Sequence, residues 1–183
     1  NRVIGMNAVT ATNFEWLGRE MRAKTACYEV SVAATGERPP SWDEKIGVFG
    51  KMDDELQKDI AYLLANGDFA DTTVEHKRIE EHLFKSIYAV ADDEKKYKKD
   101  ELPKTCRMIA RMELFFFLYD FLEDDYKLQG RLRMAGLLSI MDVKTYKNNW
   151  KHYGDAVKQM LVEAKLAAND HIHNYKKQLN IKN

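Results

Sequence analysis

The amino-acid sequence predicts an all-α fold, an irregular bundle of about six or seven helices packed around one apolar helix. Three observations predict it. Apolar residues recur at three- and four-residue steps along most of the chain. No run of alternating β-branched residues stands between turn signals. The three prolines, Pro39, Pro40 and Pro103, fall between the periodic stretches and never inside them.

The first helix is expected from about Thr12 to Ala34, with Phe14, Leu17, Met21, Tyr28 and Val32 on one face. Gly36 and Pro39-Pro40 stop it. Ser41-Trp42-Asp43-Glu44 reads as a capping box for a short helix to about Phe49. Asp53, Asp54 and Glu55 then place negative charge at the start of a helix carrying Leu56, Ile60, Leu63 and Leu64, which Asn66-Gly67 ends. The next helix starts near Thr72 or Thr73, with Ile79, Leu83, Ile87 and Val90 as its inner stripe.

Asp92 to Glu101 is a charge run suited to a solvated loop or a frayed helix end. Pro103 suits the first turn of the helix that follows. From Lys104 to about Leu122 the chain is at its most apolar, so this helix is expected to be central, its aromatic cluster forming core. A helix from about Lys127 to Ile140 comes next. Asp142 then caps a last helix running from Val143 to about Leu179, with Gly154 as a candidate bend.

A chain of 183 residues is long enough for one domain with a real core, so residues 1–183 are expected to form a single helical domain. At 45% hydrophobic and 32% charged residues it is too apolar for a disordered chain. Only two cysteines occur, Cys27 and Cys106, with no CxxC pair. That excludes a disulfide scaffold and a zinc finger, and two free thiols are expected. The longest apolar run, around Leu114 to Leu122, is shorter than the ~20 residues of a membrane span. Asn1 to Thr12 lacks a basic-then-apolar signal pattern, so a cytoplasmic protein is expected.

Net charge is zero, but it is unevenly spread. Residues 51–143 carry 15 basic and 20 acidic side chains, a net of −5. From Lys144 onward eight basic side chains stand against three acidic ones, a net of +5. A basic tail on an acidic body suits a polyanion such as DNA, with the acidic middle region meeting a protein partner; a solvated lysine-rich helix would look the same. Lys144, Lys147, Lys151, Lys158 and Lys165 are spaced by 3, 4, 7 and 7, which puts them on one stripe of a continuous helix.

Residues 131–150, RLRMAGLLSIMDVKTYKNNW, carry the main functional signal. Ala135-Gly136 supplies small residues for a close helix contact, and Ile140 or Met141 an apolar plug in the turn. Asp142 caps the second helix, and Val143, Tyr146 and Trp150 can anchor it. Lys144, Thr145, Lys147 and Asn148 offer cationic and hydrogen-bonding groups near its start.

This segment resembles the helix-turn-helix of phage late-gene regulators of the antiterminator type. It is also similar to small terminase subunits and the DNA-binding module of sigma-like factors. Ile140 stands where such motifs usually carry a turn glycine. The resemblance implies a helix-turn-helix subregion over residues 127–180. It places Lys144, Thr145, Lys147 and Asn148 against bases, and Arg131, Arg133, Lys151 and His152 against phosphates. Lys158 joins them through the lysine stripe.

Catalytic patterns are absent: no HExxH, GxSxG or P-loop occurs. His76 and Glu80 share a helix face at i, i+4, which suits either a metal pair or an ordinary surface pair. His171 and His173 would point ~200° apart on a helix and could not chelate together. Trp150, Val157, Leu161 and Leu166 could line a membrane-surface face but are expected to pack against the protein. The expectation is therefore a DNA- or transcription-complex-binding regulator that acts by recognition, with no catalytic residues, metal, cofactor or membrane partner. The alternative is a helical protein–protein interaction module, an inhibitor or assembly factor without nucleic-acid binding.

Overall fold

The computed structural model describes residues 13–26, 46–94 and 101–181. Among these residues there are seven α-helices and no strand, which is the all-α fold the periodicity predicts. They are α1 (13–26), α2 (Glu55–Asn66), α3 (Val74–Asp93), α4 (Leu102–Leu118), α5 (Leu128–Met134), α6 (Val143–Asn149) and α7 (Lys151–Ile181). Short 3-10 turns cover Phe49–Lys51, Asp120–Leu122 and Leu137–Ser139. The expectations for Cys27, Tyr28, Val32, Gly36, Pro39-Pro40, the Ser41–Glu44 capping box and the lysine pairs of the charge run lie outside the described residues. No helix among the described residues is long and apolar enough to cross a membrane.

The chain divides into two compact units, one made of residues up to Phe69 together with those from Ala164 onward, the other of Ala70–Glu163. In the first unit, α1 buries Phe14, Leu17 and Met21, the three- and four-residue steps read from the sequence. They join Val48, Phe49 and Met52 before α2, Ala61 and Ala65 on α2, and Ala168 and Ile172 on α7. The Asn13 amide donates to Asn169 Oδ1 at 2.9 Å, and Lys176 Nζ donates to Asn13 Oδ1 at 3.2 Å. α2 begins where Asp54 accepts the Leu56 N–H at 2.9 Å, and it stops at Gly67.

Backbones approach closely at Gly18 on α1, where a Cβ would collide with the Ala65 carbonyl oxygen of α2. A backbone oxygen cannot step aside cheaply. Gly18→Ala is therefore expected to cost about 1–3 kcal/mol, although alanine is the better helix former. A melt of the variant above that of the native chain would contradict this packing.

The second unit is built on the α3–α4 pair. Thr73 caps α3 by accepting the His76 N–H at 3.3 Å. Ile79, Leu83 and Ile87 are buried on one stripe of α3. Val90, expected on that stripe, is 52% exposed, and Ala91 takes the inner position. The stripe advances by four residues at each step, so 91 continues it where 90 leaves it. α4 is the most buried helix of this unit, with Ile109, Ala110, Met112, Leu114 and Phe116 inside. Pro103 sits in its first turn, as expected.

Three boundaries differ from the sequence reading. α4 ends at Leu118, not Leu122, because Tyr119 leaves the helical region (φ −112°, ψ 55°). Phe121, on the turn beyond, is then carried outward and is 71% exposed. The helix expected to reach Ile140 ends at Met134, because Gly136 takes a left-handed conformation (φ 76°) that closes the helix end. The long last helix is broken at Trp150 (φ −125°, ψ −21°) into α6 and α7. The Trp150 N–H still bonds the Tyr146 carbonyl, while its own carbonyl accepts the Tyr153 N–H at 3.0 Å, so one buried tryptophan both closes α6 and opens α7. Gly154 lies inside α7.

Candidate functional site

α5 and α6 follow each other with a left-handed glycine between them, and they pack together within the second unit. The turn glycine is Gly136, four residues before the Ile140 slot where the motif carries one. Asp142 caps α6, its Oδ1 accepting the Thr145 N–H at 2.6 Å. That bond holds the Asp142 carboxyl below its ordinary range. Tyr146 and Trp150 are buried anchors, and Val143 is half-buried.

On the outer side Lys144, Lys147 and Asn148 are exposed and Thr145 is half-buried. Arg133 is exposed on α5. Arg133, Lys144 and Lys147 form no ion pair among the described residues. Lys151 and His152 are exposed at the start of α7. Lys151 Nζ lies 2.6 Å from Asp155 Oδ2, and the His152 ring lies 3.9 Å from that of Tyr153.

Arg131 and Lys158, grouped with these from the sequence, are held inside an acidic network. Arg131 Nη2 donates to Glu113 Oε2 at 2.9 Å and its Nη1 to Glu123 Oε1 at 3.4 Å. Its guanidinium lies 4.4 Å from the centre of the Phe116 ring. Lys158 pairs with the same Glu123 oxygen. Burial pushes the Glu113 carboxyl up, with the charges of Arg131 and Lys158 pulling the other way. The Lys158 hydrogen bond, opposed by burial and helped by nearby cations, holds Glu123 below the usual carboxylate range.

The lysine stripe is divided as well. Lys144 and Lys147 stand on α6, and Lys151, Lys158 and Lys165 on α7, with the break at Trp150 between them. No single helix carries all five.

A second site lies in the same unit and was not read from the sequence. α3 and α4 flank a cleft of about 510 Å³. Glu80 Oε1 accepts from Arg107 Nη1 at 3.2 Å and pairs with Arg111 Nε at 2.8 Å, while Arg107 Nη2 donates to Glu81 Oε2 at 2.9 Å. Arg107 also stacks 4.1 Å over the Phe84 ring. His76, on the cleft wall, is buried, and its Nδ1 has no hydrogen-bond partner. Burial lowers its pKa, against the pull of Glu80 and Asp71. The four-residue steps His76–Glu80–Phe84 and Arg107–Arg111–Phe115 are the signal that could have found this cleft, once the two helices are known to be partners.

His76 and Glu80 do share a face, yet no group of three candidate metal ligands occurs among the described residues. Cys106 is free and buried, and burial pushes its thiol up to about 11, far from the thiolate a nucleophile needs. Comparison with models of known protein families, with curated proteins and with solved structures finds no match for this chain.

Proposed function

We propose that the chain is a recognition protein that binds duplex DNA, or a transcription complex on DNA, through α5 and α6. It acts as a regulator of the phage type its 131–150 segment resembles and works in the cytoplasm. The observation that carries the reading is the exposure of Lys144, Lys147 and Asn148 on α6 beside Arg133 on α5, with no ion pair to the three cations among the described residues. Tyr146 and Trp150 fix α6 from beneath, so its outer side chains are presented by a rigid support. Arg131 and Lys158 belong to the scaffold of this interface, since their charges are balanced by Glu113 and Glu123.

The three exposed cations set the scale. Each phosphate contact contributes about −0.9 to the slope of log affinity against log salt, so a slope of roughly −2 to −3 is expected. The experiment is fluorescence anisotropy of a short duplex across a salt series. Lys144→Ala combined with Lys147→Ala should weaken binding and flatten the slope by about 2. No binding at low salt by the folded native chain would refute the reading.

A second reading has its own observation. Phe121 is exposed beside the exposed Asp120, Asp124 and Asp125, and Met134 on α5 is 43% exposed. Such an aromatic in an acidic frame suits a basic protein partner with an apolar pocket. Phe121→Ala would then abolish partner binding and leave duplex binding intact.

A further inference from the structure

The α3–α4 cleft uses only part of its hydrogen-bonding capacity. Arg107 is engaged on both terminal nitrogens by Glu80 and Glu81 and on its face by Phe84. Arg111 is held at Nε alone, so its two terminal nitrogens have no partner among the described residues, and its side chain is 62% exposed. Lys77 and Asp71 also border the cleft, both exposed and in no ion pair among the described residues. The orphaned Nδ1 of His76 lies on the same wall, and unsatisfied buried polar atoms are rare in native proteins.

Charge decides what such a cleft can hold. Three carboxylates (Asp71, Glu80, Glu81) face three cations (Lys77, Arg107, Arg111), and the pairs at Glu80 and Glu81 are already made. What remains is a cationic side, Lys77 with the two terminal nitrogens that Arg111 leaves free of Glu80, and an acidic side, Asp71. Asp71, His76 and Arg111 line the same cleft. An anion alone would leave Asp71 unanswered, and a cation alone would leave Arg111 and Lys77. A molecule with one carboxylate and one ammonium answers both. The guanidinium fork of Arg111 matches a carboxylate in plane. Phe115, one turn along α4 from Arg111, adds an apolar wall. The volume falls in the range of small-molecule sites.

We infer that the α3–α4 cleft binds a small zwitterion of the free amino-acid type, its carboxylate on Arg111 and Lys77, its ammonium on Asp71, and an apolar side chain against Phe115. The site stands on α3 and α4 and does not depend on α5 and α6 binding DNA. A ligand there would make the protein responsive to a small metabolite, whatever macromolecule it recognises.

The test uses the full chain, with the His76 ring resonances observed by NMR during titration with each standard amino acid. L-Phenylalanine is then compared with 3-phenylpropanoate, which lacks the ammonium, and with phenethylamine, which lacks the carboxylate. Saturable shifts of His76 by an apolar amino acid are expected, with a dissociation constant on the order of 1 mM or tighter. Each single-charge analogue should bind at least ~10-fold more weakly. Arg111→Ala and Asp71→Asn should each weaken binding by ~10-fold or more, and Asp71→Asn, at an exposed position in no ion pair among the described residues, should do so without moving the melting temperature. No saturation by any amino acid, equal binding of a single-charge analogue, or indifference to both substitutions would overturn the inference. Duplex anisotropy of Arg111→Ala should match the native chain, which separates failure here from failure of the DNA reading.

Discussion

Arg131→Ala should lower stability by about 3–5 kcal/mol, because it leaves a buried carboxylate without its partner. The Arg131 side chain is 15% exposed and that of Glu113 is 9% exposed, so water cannot replace the lost bond. Thermal unfolding should fall by roughly 10 °C for a chain of this size. The penalty should also depend on pH. The folded Glu113 carboxyl titrates above its unfolded value, so its protonated form is favoured in the fold. Stability from this group is present at pH below the unfolded value and is lost as pH rises through the folded one. Removing Arg131 strengthens that dependence, so the penalty should shrink as pH falls into the carboxyl range. Adding Glu113→Gln to the variant should remove the pH dependence. A loss of less than 1 kcal/mol, independent of pH, would show that Arg131 is free to serve another partner.

Phe116→Ala should be comparably damaging, about 3–5 kcal/mol, since the ring is buried on α4. It has a second effect. Phe116 lies under the Arg131 guanidinium and meets Tyr126 edge-on at 5.7 Å. Removing the ring loosens the guanidinium that neutralises Glu113. The two substitutions should therefore be non-additive, with a coupling of about 1 kcal/mol by double-mutant cycle in urea. Strict additivity would mean that ring and guanidinium act independently.

What could be read from the sequence was local. Asp54, Thr73 and Asp142 cap helices through bonds spanning two or three residues, and all three stood out as start signals. Phe14, Leu17 and Met21 followed from spacing alone. What could not be read were choices made by distant partners. Arg131 looked like one more exposed cation of a basic segment, because Glu113 lies 18 residues away on another helix. Arg107 and Glu80 are 27 residues apart, so the cleft between them leaves no contiguous motif. The break at Trp150 falls in a stretch whose periodicity continues unbroken through Tyr146, Trp150, Tyr153 and Val157. Spacing cannot distinguish one helix from two that share a buried tryptophan.

The candidate site residues sort by the same rule. Lys144, Lys147 and Asn148 are exposed because the buried side of α6 is fixed locally by Tyr146 and Trp150. Lys158 was drawn away by Glu123, 35 residues earlier. A basic segment read as one stripe thus separates into exposed cations and cations held in ion pairs, and the proposed phosphate contacts rest on the first group.

The most direct measurement is amide NMR of the uniformly labelled full chain titrated with a short duplex at low salt. DNA recognition through α5 and α6 predicts shift changes concentrated at Arg133 and at Lys144 to Asn148, reversed by added salt and lost in the Lys144→Ala, Lys147→Ala variant. Unchanged spectra, or changes centred on Phe121 or the α3–α4 cleft, would contradict it.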